Sequence, residues 1–158
     1  SPGTGTSKQW QQMEKEMMNY NKNHCTTIEW LKMGIYSLLG NLGSSKASQA
    51  LFRQVVRNYN ADYPAFHDVK LDMSNVSVQA GNQTRKEIMA YPLLPRLEDP
   101  AFPITVTFGD NDIFGASEHF VISRYPSAQV FTIKNSGHFP FLHNPQDYFA
   151  ILHQHFGA

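Results

Sequence analysis

Pro103-Ile104-Thr105-Val106-Thr107-Phe108-Gly109-Asp110-Asn111-Asp112 decides the fold of this chain. The run to Phe108 is short, β-branched and aromatic, and the glycine and acidic residues after it form a turn. It predicts a buried strand over about 104–108. Ala128 to Ile133 has the same texture and predicts a second strand, followed by the loop Asn135-Ser136-Gly137-His138. Ala116 to Tyr125 lies between the strands and predicts a helix with Phe120, Val121 and Ile122 inward. Asn144-Pro145 predicts a helix start, with an N-cap and a proline at the first helical position. Phe149, Leu152 and Phe156 then recur at helical spacing. Strand, helix, strand, helix implies a parallel pair with a crossover, and hence an α/β class.

Upstream the texture changes to helices. Trp10, Met13, Met17 and Tyr20 predict a helix over about 7–20, with Thr6 or Ser7 as its cap. Thr26 and Glu29 have capping-box spacing ahead of a helix over about 27–39, which Gly40 or Gly43 ends. Ile28, Leu31, Ile35, Leu38 and Leu39 give that helix a broad apolar face. A third helix over about 46–60 carries Leu51, Phe52, Val55, Val56 and Tyr59 as its buried stripe. In residues 65–80, Val69, Leu71 and Met73 alternate as in a strand, but the segment is polar and equally fits a loop or short helix. Thr84 and Glu87 predict a further helix over about 84–91, closed by Pro92 and Pro95.

Composition narrows the function classes. Thirteen basic side chains balance thirteen acidic ones, so nothing points to nucleic acid or an anionic membrane surface. The apolar fraction of 41% and aromatic fraction of 13% are enough for a packed core. One cysteine, Cys25, excludes an intrachain disulfide and a disulfide-stapled scaffold. No apolar run approaches the ~18 residues of a membrane span. Ser1 to Thr6 lack the basic start and apolar stretch of a signal peptide, and a cytoplasmic location is expected.

The two strand-end loops hold the candidate chemistry, because parallel sheets collect catalytic groups at the carboxyl ends of their strands. Asp112 and His138 are the candidate pair, and Asp110 is the alternative acid. A carboxylate at one imidazole nitrogen fixes the tautomer and leaves the other nitrogen as general base. His24 beside Cys25 does not read as a metal site, since adjacent side chains point apart and no second ligand pair follows. Trp10, Trp30, Met13, Met17, Met18 and Met33 fit a pocket lining or ordinary packing equally well.

Gly109 with Asp112 three residues on, Ser136-Gly137-His138-Phe139-Pro140, and the closing helix resemble the carboxyl-terminal part of an α/β-hydrolase. The resemblance implies Asp112 as the triad acid and His138 as the triad histidine, on an incomplete parallel-sheet core over 93–158. The family's usual glutamate after the histidine is His143 here, with no expected effect on catalysis. Ser1-Pro2-Gly3 resembles the end of the strand before an inserted helical lid, and residues 1–92 then resemble that lid. Its shape and Pro-rich exit are similar to the proline-iminopeptidase-like branch.

The resemblance implies hydrolysis of an ester, amide or related bond in a small-molecule or peptide substrate, with no metal and no cofactor. The Gly-x-Ser-x-Gly nucleophile turn of the family does not occur in the 158 residues. The nucleophile is therefore expected upstream, and this segment alone is expected to be inactive. A branch with an Asp nucleophile, such as a dehalogenase, is compatible. Two strands leave two unpaired edges, so pairing with a missing amino-terminal half, or a homodimer through the exposed sheet, is expected. The competing expectation is a non-catalytic helical binding module in which Asp112 and His138 are relics.

Overall fold

The computed structural model describes residues 5–66 and 70–157. They form two compact units, and the division falls inside one helix. One unit takes the described residues up to Glu16 together with those from Pro92 onward, and the other is Met17–Tyr91. The break at Pro92 lies beside the expected one, whereas the first turns of the amino-terminal helix group with the carboxyl-terminal segment. Among the described residues, no helix is long and apolar enough to cross a membrane.

The helical unit contains the end of α1 (Ser7–Asn23), then α2 (Thr27–Asn41), α3 (Ser45–Tyr59) and α4 (Val78–Ala90). Thr26 and Glu29 form the expected capping box, with the Glu29 amide donating to Thr26 Oγ1 and the Thr26 amide donating to Glu29 Oε2. At its other end α2 turns out through Gly43, at φ +96°, a conformation that favours glycine. The inner face of α2 holds Met33 and Gly40. A Cβ on Gly40 would stand 2.7 Å from a Val78 methyl and 2.9 Å from Ser48 Oγ, so the missing side chain lets α4 approach. Ser48 Oγ in turn accepts the Val78 amide at 3.2 Å. Asn58, fully buried on α3, donates to Asn21 Oδ1 at 3.0 Å.

Three details differ from the sequence reading. The Thr6 hydroxyl donates to the Pro92 carbonyl at 3.0 Å instead of capping α1. α4 begins at Val78, six residues before Thr84, because Ser77 Oγ accepts the Ala80 amide and caps the helix there. Of the alternating segment, residues 70–73 have no regular structure, and Val69 lies outside the described residues.

In the other unit β1 (Thr105–Gly109) pairs in parallel with β2 (Gln129–Ile133), from Thr105 opposite Gln129 to Gly109 opposite Ile133. α5 (Glu118–Arg124) makes the crossover, entered through a single 3-10 turn at Gly115–Ser117. Val106, Phe108 and Val121 form the buried cluster beneath it. Each such side chain contributes about 1.5–3 kcal/mol through removal from water. Ile122 points outward, 40% exposed, so only part of the expected inward run of α5 is buried.

The chain ends in α6 (Pro140–His143) and α7 (Pro145–Phe156). Asn144 serves both: its Oδ1 caps α7 at the Asp147 amide, and its Nδ2 donates to the Lys134 carbonyl at 3.0 Å. That bond ties the closing helices to the exit of β2, next to the loop that carries His138.

Candidate active site

Both strands end at one level, Gly109 opposite Ile133, so the loops that follow them emerge side by side. They are sewn together by backbone and carboxylate bonds. Asp110 accepts the Asn135 amide at 3.1 Å and the Ser136 amide at 3.0 Å. The Asn111 amide donates back to the Ser136 carbonyl at 2.9 Å. The Ser136 amide, followed by that of Asn135 and the charge of Lys134, holds the Asp110 carboxyl below its ordinary range. Asp110 is thus the strut of the turn, and the alternative in which it serves as the acid loses its geometric basis.

Gly109 makes this closeness possible. A Cβ there would lie 2.3 Å from the carbonyl oxygens of both Ser136 and Gly137. No side chain fits, which explains the glycine at the strand end in terms of this chain alone.

Three residues beyond Gly109, the Asp112 side chain is fully buried, and its Oδ1 accepts the Phe114 amide at 3.1 Å. The same oxygen lies 3.3 Å from Nδ1 of His138, whose side chain keeps 19% exposure. The structure therefore brings together the two residues singled out in the sequence, across a separation of 26 positions. The Phe114 ring meets the imidazole edge-on with centroids 5.4 Å apart, and Phe139 lies at the same distance on a tilt. A buried carboxylate is costly to desolvate and gives little net stability through its partner. A pair buried on the acid side and open on the imidazole side can hold a proton at Nδ1 and exchange one at Nε2.

Two further residues shape the site: Glu118, which the sequence did not single out, and His143, which it noted without a role. His143 Nδ1 accepts the Gly137 amide at 3.0 Å, so α6 holds the residue that precedes His138. Burial, and secondarily the charge of His138, lower the His143 pKa below its ordinary value and favour the neutral ring. Acceptance at Nδ1 puts the remaining ring proton of that neutral form on Nε2. Glu118, at the start of α5, has its carboxyl pushed up by burial and then by the Asp112 charge, which places it in the electrostatic reach of the acid.

The remaining candidates sit elsewhere. His24 Nδ1 donates to the Tyr20 carbonyl at 2.8 Å, and its Nε2 lies 3.3 Å from Asp62 Oδ2. Cys25 Sγ lies 3.9 Å from the Lys22 carbonyl, so the adjacent His and Cys make no pair. Met13 and Met33 are buried packing residues, whereas Met18 is exposed. Among the described residues, no group of three or more His, Cys, Asp or Glu side chains could hold a metal ion. A groove of about 280 Å³ between Leu93–Arg96 and α5 contains neither Asp112 nor His138.

No protein family matches this chain, and neither does any curated protein or solved structure.

Proposed function

We propose that this chain supplies the acid and the histidine of a nucleophile–histidine–acid hydrolase, on the carboxyl-terminal portion of an α/β-hydrolase-like core. The observation that carries the reading is the contact between buried Asp112 and part-exposed His138 on neighbouring strand ends. Ionised Asp112 accepts a proton-bearing Nδ1 and fixes the imidazole tautomer. Nε2 then takes the proton of a nucleophile as general base and returns it to the leaving group as general acid. The charge that develops on the imidazolium is stabilised by Asp112. The nucleophile and oxyanion donors belong to a segment upstream of Ser1. The substrate is a small molecule or peptide with an ester, amide or related bond, and the chemistry requires no metal or organic cofactor.

The test pairs the chain with the protein segment encoded upstream of it and follows hydrolysis of an aryl ester. The chain alone should give no turnover above a His138→Ala control. The pair should turn over, and His138→Ala in the pair should lower kcat by at least about a thousandfold. Equal turnover by the pair with and without His138 would refute the assignment. A second reading, a non-catalytic binding module, is favoured by one observation: the outer face of α2 is apolar and exposed. It predicts no loss on His138→Ala in any assay.

A further inference from the structure

We propose that the groove between residues 93–96 and α5 is a binding site for a small monocarboxylate with an apolar body, such as an aryl or branched alkyl acid. It lies wholly within the unit that carries the sheet and includes neither Asp112 nor His138, so it does not rest on the catalytic reading.

The groove is made by a strap of chain tied to the last turn of α5 at two points. The Leu97 amide donates to the Arg124 carbonyl at 2.8 Å, and Arg124 Nη1 donates to the Pro95 carbonyl. Leu93, Leu94 and Phe120 supply an apolar wall beside Arg96 and Arg124. Gln9, on α1, adds an uncharged amide.

The charge of this lining is unbalanced. Two guanidinium groups line the groove and, among the described residues, no carboxylate does. Arg96 Nε lies 3.7 Å from Glu98 Oε1, but the two side chains are 62% and 67% exposed, so water screens that pair. Arg124 is held over the Tyr125 ring, 5.2 Å from its centroid, and by the bond to Pro95. Its Nε is buried with no hydrogen-bond acceptor among the described residues, a costly state for a charged donor group. With Nη1 committed and Nε closed to solvent, Nη2 is the donor left for a ligand. A guanidinium already held in place loses little freedom when it binds. The carbonyls at the end of α5, which would repel an anion, are occupied. That of Phe120 accepts Ser123 Oγ at 3.0 Å, that of Val121 accepts the Tyr125 amide at 3.1 Å, and that of Arg124 accepts Leu97.

The same lining selects the ligand class. The arginines call for an anion, and the leucines and Phe120 call for an apolar group attached to it. Inorganic phosphate would meet the arginines and leave the apolar wall in water. A volume of about 280 Å³ lies at the small end of ligand pockets, ~300–1,000 Å³, and is too small for a nucleotide.

The experiment titrates phenylacetate into the full chain and follows the backbone amides by NMR. Saturable shifts centred on Leu94, Arg96, Ser123 and Arg124 are expected, with a Kd of about 1 mM or tighter. Phenylethanol, which lacks the charge, and acetate and inorganic phosphate, which lack the apolar body, should each bind at least about tenfold more weakly. Arg124→Gln should weaken phenylacetate at least about tenfold. Because that change also removes the tie to Pro95, Arg96→Gln is the second variant: its side chain is exposed, and a loss of about threefold or more is expected. The proposal is overturned by the absence of saturable shifts up to about 10 mM, or by shifts centred on His138 instead. Equal binding of phenylethanol would overturn the role of charge, as would an unchanged Kd in Arg96→Gln. Acetate or phosphate bound as tightly as phenylacetate would overturn the role of the apolar wall.

Discussion

Replacement of Gly109 by alanine tests the joint between the two strand-end loops. The added Cβ would sit 2.3 Å from the Ser136 and Gly137 carbonyl oxygens, and ordinary contact begins near 3.4 Å. One backbone must therefore move by about 1 Å. It moves against the two amides held by Asp110 and the Asn111–Ser136 bond. Overpacking of this kind costs about 2–4 kcal/mol when the obstacle is backbone and not a flexible side chain. The displaced segment leads directly into His138, so the 3.3 Å contact with Asp112 should open as well. Hydrogen exchange at the Asn111 and Ser136 amides is the assay, and protection should fall by about thirtyfold or more. Gly115→Ala is the control, because no atom lies within 4 Å of its added Cβ. Its effect should stay within about 0.5 kcal/mol. A Gly109→Ala protein as protected as the control would refute the account of the joint.

His143→Phe removes the acceptor for the Gly137 amide and should lower stability by about 1–2 kcal/mol at pH 7.5, read from urea midpoints. The folded pKa of His143 lies below its ordinary 6.5, so its contribution is complete above that value and is lost as pH falls toward the folded pKa. The gap between wild type and variant should therefore narrow between pH 7.5 and pH 5, and a constant gap would contradict the role. Gly81→Ala, inside α4 with open space around the added Cβ, should stabilise the helical unit by about 0.5–1 kcal/mol in thermal or urea unfolding.

Much of this architecture was legible because local signals and tertiary packing agreed. The β-branched runs became β1 and β2, Thr26 with Glu29 became a working capping box, and Asn144-Pro145 opened α7. Asp112 and His138 were legible because chain order and strand ends bring such residues together. α4 was misplaced at its start because Thr84 and Glu87 copy a capping box, while Ser77 makes the cap. Asp110 shapes the loops by accepting two backbone amides and His143 by accepting one, and such bonds leave no periodicity or spacing in the sequence. The apolar stripe of α2 was visible, but not which of its faces turns inward. Small Gly40 and flexible Met33 make the buried side, and the larger aliphatic residues stay outside.

The central claim is that Asp112 and His138 serve a nucleophile encoded upstream, and the reading frame ahead of the codon for Ser1 tests it most directly. The account predicts an open frame whose product carries a β-rich stretch followed by a Gly-x-Ser-x-Gly turn, or its aspartate counterpart, at a strand-to-helix junction. A start codon close to Ser1, or an in-frame stop with no such turn before it, would contradict the account.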